Sequence, residues 1–134
     1  MLKKILVVED DESVLKLECI LLTSAGYEIH AAMSGVDALG DIAHELPDLL
    51  LLDVMLPRLD GFEVCKRLKR NAKTQHIPVI FLTARNTPED ILRGMQVGGN
   101  QYITKPFKSA SLMKSIHQLL IKDKSVSGEH KAFH

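Results

Sequence analysis

Four consecutive leucines, Leu49–Leu52, run directly into the carboxylate of Asp53. A segment that is apolar at every position is typical of a strand buried on both faces, as in a parallel sheet covered by helices. Pro57 and Gly61 follow within a few residues and indicate a loop. The pattern predicts that Asp53 stands at the carboxyl end of a central strand, where ligands bind in open α/β sheets. A carboxylate that only ends the strand or caps a helix is the alternative.

Short apolar runs alternate along the chain with segments of helical periodicity, which predicts five strands and five helices in succession. The expected strands span residues 2–8, 27–32, 49–52, 79–82 and 101–104, and the expected helices span 13–23, 35–45, 62–71, 88–97 and 109–121. Short connections and right-handed crossovers favour an α/β fold with a doubly wound, five-stranded parallel sheet flanked by five helices. We expect one domain, residues 1–122, followed by a flexible polar tail or linker stump at 123–134.

The spacing of apolar residues also predicts the inward faces of the first two helices. For the first helix the predicted face comprises Val14, Leu15, Leu17, Cys19, Leu21 and Leu22. For the second helix it comprises Val36, Leu39, Ile42 and Ala43. Cys19 and Cys65 belong to no CxxC pair and are expected to be buried free thiols.

Composition and charge narrow the function classes. The 134 residues are 46% hydrophobic but only 4% aromatic, which indicates a globular domain with an aliphatic core. Seventeen basic and 17 acidic residues cancel, so net charge gives no reason to expect binding to nucleic acid or to an anionic membrane. The sequence shows neither a signal-peptide core nor a membrane-spanning segment, and we expect a cytoplasmic protein.

Polar residues at the ends of four predicted strands point to one kind of chemistry. They are Glu9, Asp10 and Asp11 after the first strand, Asp53 after the third, Thr83 at the fourth and Lys105 after the fifth. Because the carboxyl ends of parallel strands share one edge of a sheet, these side chains are expected to converge. Crowded carboxylates without nitrogen or sulfur ligands suit Mg²⁺. A hydroxyl and an ammonium beside them are typical of a phosphoryl-transfer centre.

Asp53 is the candidate nucleophile, because it stands on the central strand and a carboxylate can form an acyl phosphate. Each residue also has an ordinary explanation when it is taken singly. Asp10 or Asp11 could cap the first helix, Thr83 could end a strand, and Lys105 could lie on the surface. Their joint placement at the ends of different strands favours a shared site.

The same segments resemble the receiver domains of bacterial two-component response regulators. The resemblance covers roughly residues 3–121 and rests on Ile5-Leu6-Val7-Val8-Glu9-Asp10-Asp11, Leu52-Asp53-Val54-Met55-Leu56-Pro57, Asp60-Gly61, Leu82-Thr83-Ala84 and Tyr102-Ile103-Thr104-Lys105-Pro106-Phe107. It implies a flavodoxin-like fold with strand order 2-1-3-4-5. It also implies a Mg²⁺ site formed by Asp10, Asp53 and the backbone carbonyl of Met55, with Glu9 acting through a water molecule.

The resemblance further implies how the site is used. Asp53 would accept a phosphoryl group from a phosphohistidine, and Lys105 would pair with the phosphoryl oxygens. Thr83 would move toward the phosphoryl group and Tyr102 would turn inward, which reshapes the face of helix 4, strand 5 and helix 5. Lys105-Pro106 matches the family's cis peptide. An ordinary half-buried core tyrosine is the alternative reading of Tyr102.

Three functions are compatible with these residues. The first is a phosphorylation-dependent signalling switch that is not an enzyme toward other substrates. Its partners would be a sensor histidine kinase or a histidine phosphotransfer protein, and a downstream effector or an output domain missing from this segment. The second is a stand-alone Mg²⁺ phosphohydrolase, a class that usually has a second acid two residues after the nucleophile, where this chain has Met55. The third is a binding module without phosphorylation, which the complete set of site residues disfavours. Either a single-domain regulator or a fragment is expected, with no direct contact between this segment and nucleic acid.

Overall fold

A computed structural model describes residues 2–126 of the chain, in which strands and helices alternate strictly. The strands are β1 (Lys4–Val8), β2 (Glu28–Ala32), β3 (Leu49–Leu52), β4 (Val79–Thr83) and β5 (Gln101–Thr104). The helices are α1 (Glu12–Ser24), α2 (Gly35–His44), α3 (Gly61–Lys69), α4 (Pro88–Gln96) and α5 (Ser109–Val126).

The strands form one parallel sheet in the order β2-β1-β3-β4-β5, as the sequence predicts. β3 lies at its centre, and all four leucines of β3 are buried. Val8 of β1 pairs with Leu52 of β3, while Thr83 of β4 pairs with Thr104 of β5. This register aligns the carboxyl ends of the strands, so the residues that follow them meet at one edge.

Alternate residues along the buried strands serve two different cores, because successive side chains of a strand point to opposite faces. Leu50 and Leu52 belong to the core covered by α2 and α3. Leu49 and Leu51 belong to the core covered by α1 and α5. The uninterrupted apolar run of β3 is therefore explained by helices on both sides of the sheet.

Local capping explains where most helices begin. The side chains of Asp11, Ser34, Asp60 and Thr87 accept hydrogen bonds from backbone N–H groups in the first turns of α1, α2, α3 and α4, respectively. Such side chains satisfy donors that a helix end leaves without partners. Asp11 is thus the N-cap of α1. This is the capping role that the sequence allows for Asp10 or Asp11.

Some predicted helix faces are wrong in detail. In α2 the buried residues are Gly35, Ala38 and Ile42, whereas Val36 and Ala43 are exposed. In α1 the buried residues are Leu15, Glu18 and Leu22, whereas Leu17 is 67% exposed. The prediction is correct for Leu15, Leu22 and Ile42, but the hydrophobic count included exposed apolar residues and left out Glu18, Gly35 and Ala38. In α1 that error concealed a buried carboxyl group.

Two further expectations need adjustment. Cys65 is a buried free thiol as predicted, whereas Cys19 is only half-buried. Helix α5 continues to Val126, five residues past the predicted end at Ile121. The first four residues of the predicted tail, 123–126, therefore belong to this helix. The remainder of the predicted tail, residues 127–134, lies outside the described residues.

Candidate functional site

Backbone hydrogen bonds bring the strand ends together at the edge predicted to carry the site. The N–H of Asp53 donates to the carbonyl of Val8 at 3.0 Å, and the N–H of Lys105 donates to the carbonyl of Thr83 at 2.8 Å. Each bond continues the sheet one residue past the end of a strand. Asp53 and Lys105 are therefore fixed at the rim by the sheet itself.

The ammonium of Lys105 lies among carboxylates. Its Nζ lies 2.5 Å from Oε1 of Glu9, 3.6 Å from Oδ2 of Asp53 and 3.7 Å from Oε2 of Glu18. Burial alone lowers the pKa of Lys105, but the hydrogen bond to Glu9 and the surrounding negative charges outweigh it and raise the pKa. Lys105 is thus held as a cation at the centre of the site.

Glu9, Asp10 and Asp53 form an acidic cluster. One carboxylate oxygen from each residue lies within 4.8 Å of the others, with Glu9 and Asp53 buried and Asp10 exposed. Burial raises the pKa of Glu9, and hydrogen bonds from Lys105 and from the N–H of Asp11 oppose that rise. An all-oxygen set of this kind fits a hard divalent cation such as Mg²⁺. Asp10 is the member with an exposed carboxylate, which leaves it open to a ligand.

The loop after Asp53 is held tightly against its backbone. The N–H of Met55 donates to Oδ1 of Asp53 at 3.1 Å, and the N–H of Gly61 donates to the carbonyl of Val54 at 2.9 Å. A Cβ on Gly61 would lie 2.2 Å from the carbonyl oxygen of Asp53, so only glycine fits this approach. The aspartate carboxylate is consequently oriented by its own loop. The side chain of Met55 is exposed beside it.

Thr83 and Tyr102 are linked through Arg85. The buried Thr83 hydroxyl accepts a hydrogen bond from the N–H of Arg85 at 3.2 Å. The hydroxyl of Tyr102 donates to the carbonyl of Arg85 at 2.8 Å, and its ring packs against Phe81 and Gly94. Burial raises the pKa of Tyr102 to about 12, so its hydroxyl keeps its proton and remains a donor. The ring is half-buried against β4 and α4, and the hydrogen bond of its hydroxyl lies at the surface.

The sequence-predicted residues therefore divide into two groups. Glu9, Asp10, Asp53 and Lys105 meet directly at one edge, whereas Thr83 and Tyr102 are joined on the β4–β5 side through Arg85. The Lys105-Pro106 peptide bond is cis, as the resemblance implied. Two predicted ligand roles stay predictions. They are binding of the metal by the backbone carbonyl of Met55 and binding by Glu9 through a water molecule.

Sequence reasoning missed Glu18. Its side chain is only 3% exposed, and burial is the main cause that raises its pKa to about 7. The signal was available in the spacing of Leu15, Glu18 and Leu22, which places one carboxyl group on the stripe that α1 packs against the sheet.

A comparison with known families settles the classification. The family profile described as "Response regulator receiver domain" matches residues 5–117. The chain belongs to that family. It is accordingly a receiver domain of two-component response regulators, with a regulatory role in signal transduction. The stated resemblance is confirmed.

Relatives of this receiver domain include both curated proteins and solved structures. Response regulator PleD of Caulobacter vibrioides is 41% identical over 116 residues, which cover 87% of this chain and 26% of PleD. The alkaline phosphatase synthesis transcriptional regulatory protein PhoP of Bacillus subtilis is 41% identical over 118 residues, covering 88% of this chain and 48% of PhoP. The crystal structure of a CheY-like response regulator receiver domain protein from Methanospirillum hungatei has a TM-score of 0.87 at 27% identity, covering 93% of this chain and 98% of that one.

The chain thus spans about a quarter of PleD and about half of PhoP. The similarity covers only these parts of the two proteins, so the activities of the whole proteins are not assigned to this segment. Among the residues that the structure describes, no helix combines the length and apolar character needed to cross a membrane.

Proposed function

We propose that this receiver domain is a phosphorylation-dependent switch that accepts a phosphoryl group on Asp53 from a phosphohistidine. The observation that carries the proposal is the position of the Lys105 ammonium, 3.6 Å from the Asp53 carboxylate and beside the acidic cluster. A fixed cation next to a carboxylate nucleophile is suited to neutralising charge on a transferring phosphoryl group.

The proposed step balances as a displacement at phosphorus. A carboxylate oxygen of Asp53 attacks the phosphorus, an O–P bond forms, and the N–P bond of the phosphohistidine breaks. The electron pair of the broken bond stays on the imidazole nitrogen, and the ring, already protonated on its other nitrogen, leaves as neutral histidine. Lys105 compensates negative charge on the phosphoryl oxygens, and the hydroxyl of Thr83 donates to one of them.

Glu9, Asp10 and Asp53 would hold Mg²⁺, with the backbone carbonyl of Met55 as a further ligand and Glu9 bound through water. When bound, the ion supplies charge neutralisation for the phosphoryl oxygens. The mutual repulsion of the three acids supports this assignment, because carboxylates brought within 4.8 Å of one another favour a cation between them. Asp53 orients its attacking oxygen through the Met55 N–H, which holds the other oxygen.

The switch would act through Thr83 and Tyr102. An acyl phosphate that draws the Thr83 hydroxyl toward it takes that hydroxyl from the Arg85 N–H, and Tyr102 is bonded to the carbonyl of the same residue. Phosphorylation would thereby favour one arrangement of the α4, β5 and α5 face. Exposed apolar residues Leu92 and Met95 on α4 give that face a surface on which a partner can act.

The proposed partners are a sensor histidine kinase or a histidine phosphotransfer protein upstream, and an effector protein or an output domain downstream. The segment itself is proposed to act in the cytoplasm, where such kinases are phosphorylated, and without binding nucleic acid. Similarity to PhoP, a transcriptional regulatory protein of which this chain covers about half, supports a role upstream of a separate output domain.

The test is labelling by acetyl phosphate, a small phosphodonor that needs no kinase. The wild-type domain is expected to gain one phosphoryl group in a Mg²⁺-dependent reaction, and Asp53→Asn is expected to gain none. Asp41→Asn is the matched control, because Asp41 is exposed on α2 and is not part of the acidic cluster. Labelling of Asp53→Asn at the rate of the control would overturn the proposal.

A further inference from the structure

Glu18 is a buried acid that the proposed phosphoryl transfer does not use. It lies on the inner face of α1 and is 3% exposed. Its Oε2 atom accepts no hydrogen bond from the described part of the chain. A buried carboxylate oxygen without a hydrogen bond is unfavourable, so its position calls for a compensating charge.

The surroundings of Glu18 are apolar on the helix side. A surface cavity of about 360 Å³ beside it is lined by Val14, Leu17, Leu21, Pro106 and Phe107, together with Ser109 and Lys105. Among the groups that line this cavity, the only cation is Lys105. The carboxyl group of Glu18 is therefore directed to the same ammonium that serves Asp53.

Asp53 and Glu18 compete for the ammonium of Lys105. Glu9 holds the ammonium by a hydrogen bond of 2.5 Å. Asp53 and Glu18 lie at 3.6 Å and 3.7 Å from the same Nζ, too far for hydrogen bonds but within the range of an ion pair. Asp53 comes from β3 and Glu18 from α1, so the lysine has two alternative second partners at nearly equal distance.

We propose that Glu18 is a positioning residue for Lys105 that opposes phosphorylation of Asp53. The inference rests on the proposed function and names a control on the same site. An ionised Glu18 attracts the ammonium that the phosphoryl oxygens need. It also adds a negative charge to a site where phosphorylation introduces more negative charge. Both effects raise the free energy of the phosphorylated state.

The charge state of Glu18 adds a second readout. Burial raises its pKa to about 7, Lys105 on the segment after β5 opposes the rise, and the charges of Glu9 after β1 and Asp53 after β3 add to it. The carboxyl group therefore changes charge near neutral pH. A packing role alone would not give the phosphorylation reaction a pH dependence that disappears when Glu18 is replaced by a neutral residue of the same shape.

The test compares Glu18→Gln with Glu28→Gln, which removes a carboxylate from the exposed amino end of β2 at the opposite edge of the sheet. With acetyl phosphate and Mg²⁺, Glu18→Gln is expected to be phosphorylated about three- to tenfold faster than wild type at pH 8, the size expected for one partly screened charge at this distance. The difference should shrink at pH 6. Glu28→Gln should match wild type, and Glu18→Asp, which keeps the charge, should remain within about twofold of it.

A measurement without phosphodonor or metal addresses Lys105 itself. The ¹³Cε chemical shift of Lys105, followed against pH, should show a lower pKa in Glu18→Gln than in wild type, because one of the charges that raises it is gone. If Glu18→Gln folds poorly, Glu18→Leu, which suits the apolar cavity, is expected to give the same acceleration.

The outcomes separate the two proposals. An unchanged or slower rate in both neutral variants, with wild type labelled on Asp53, overturns the role of Glu18 and leaves the proposed function standing. Absence of labelling on Asp53 in wild type overturns the proposed function. In that case the pKa of Lys105 alone tests the pairing of Glu18 with Lys105. An unchanged Lys105 pKa in Glu18→Gln overturns this pairing, and a lowered pKa supports it without any phosphorylation reaction.

Discussion

The Nζ atom of Lys105 lies 3.6 Å from Oδ2 of Asp53 although β4 separates the strands that the two residues follow. The lysine side chain therefore reaches across the end of β4 toward β3. The same atom is 2.5 Å from Glu9, which follows β1. One cation thus connects two buried acids that follow neighbouring strands at the rim, and it supplies the positive charge that buried carboxylates need close by.

Lys105→Met is expected to slow phosphorylation by acetyl phosphate by about tenfold or more, because the variant lacks the only ammonium that reaches the Asp53 carboxylate within the described residues. Labelling rates measured by mass spectrometry test this expectation. Lys108→Met is the control, since Lys108 is exposed in the same connection before α5. Equal rates for the two variants would remove Lys105 from the phosphoryl site.

Asp10 and Asp11 are adjacent, but replacing them is expected to affect different properties, Mg²⁺ affinity for Asp10 and stability for Asp11. Asp10→Ala should weaken Mg²⁺ binding by about tenfold or more, measured by isothermal titration calorimetry, with little loss of stability, because its carboxylate is exposed. Asp11→Ala should lower the free energy of unfolding by about 1 kcal/mol, because Asp11 caps α1. It should leave Mg²⁺ affinity within about twofold of wild type. The reverse pattern would exchange the two assignments.

Tyr102→Ala is expected to separate phosphorylation from its consequence. The variant should be labelled on Asp53 within about twofold of the wild-type rate, because Tyr102 contacts Arg85, Phe81 and Gly94 and not the acids. Hydrogen exchange in α4 should then respond less to phosphorylation than in wild type.

The half-buried Tyr27, which packs in the core on the α1 side, provides the control Tyr27→Ala. That variant should keep the response of α4. Loss of labelling in Tyr102→Ala alone would contradict the switch role and favour the reading of Tyr102 as part of the catalytic geometry.

Glu18 should make the stability of the domain depend on pH. Burial raises the pKa of Glu18 from its ordinary value of 4.5 to about 7, so the native state binds the proton of this group more tightly than the unfolded state does. The free energy of unfolding should therefore fall as pH rises from about 4.5 to about 7, by at most about 3 kcal/mol from this group. In the Glu18→Gln variant this fall in the free energy of unfolding should be absent.

Urea unfolding at pH 5 and pH 8 tests the prediction. The stability of Glu18→Gln relative to wild type should rise between the two pH values by about 1–3 kcal/mol. A difference that stays constant across this range would show that Glu18 does not titrate there.

The sequence was sufficient for the fold and for the meeting of Glu9, Asp10, Asp53 and Lys105 at one edge, because both depend on where strands end. An apolar run such as Leu49–Leu52 is interpretable without a structure, since every position of a strand covered on both faces must be apolar. Asp53 follows this run directly and Lys105 directly follows β5, and the parallel pairing of β3, β4 and β5 brings their carboxyl ends to one edge.

The errors concern side chains whose environment depends on tertiary packing. Counting apolar residues assigned Leu17 to the core of α1, whereas the packed stripe runs through Leu15, Glu18 and Leu22. An acid on such a stripe is ordinarily interpreted as solvated. Lys105, which follows β5, brings a cation to this buried acid on α1, and no local sequence pattern contains that approach.

The most direct measurement is the chemical identification of the phosphorylated residue. Borohydride reduces an aspartyl phosphate to homoserine, so peptides of the domain treated with acetyl phosphate and Mg²⁺ and then with borohydride reveal the acceptor by mass spectrometry. The account predicts homoserine at position 53 and at no other aspartate, with none formed when Mg²⁺ is chelated. Reduction at Asp10 or Asp60 with Asp53 intact, or a phosphoryl group that resists reduction, would contradict it.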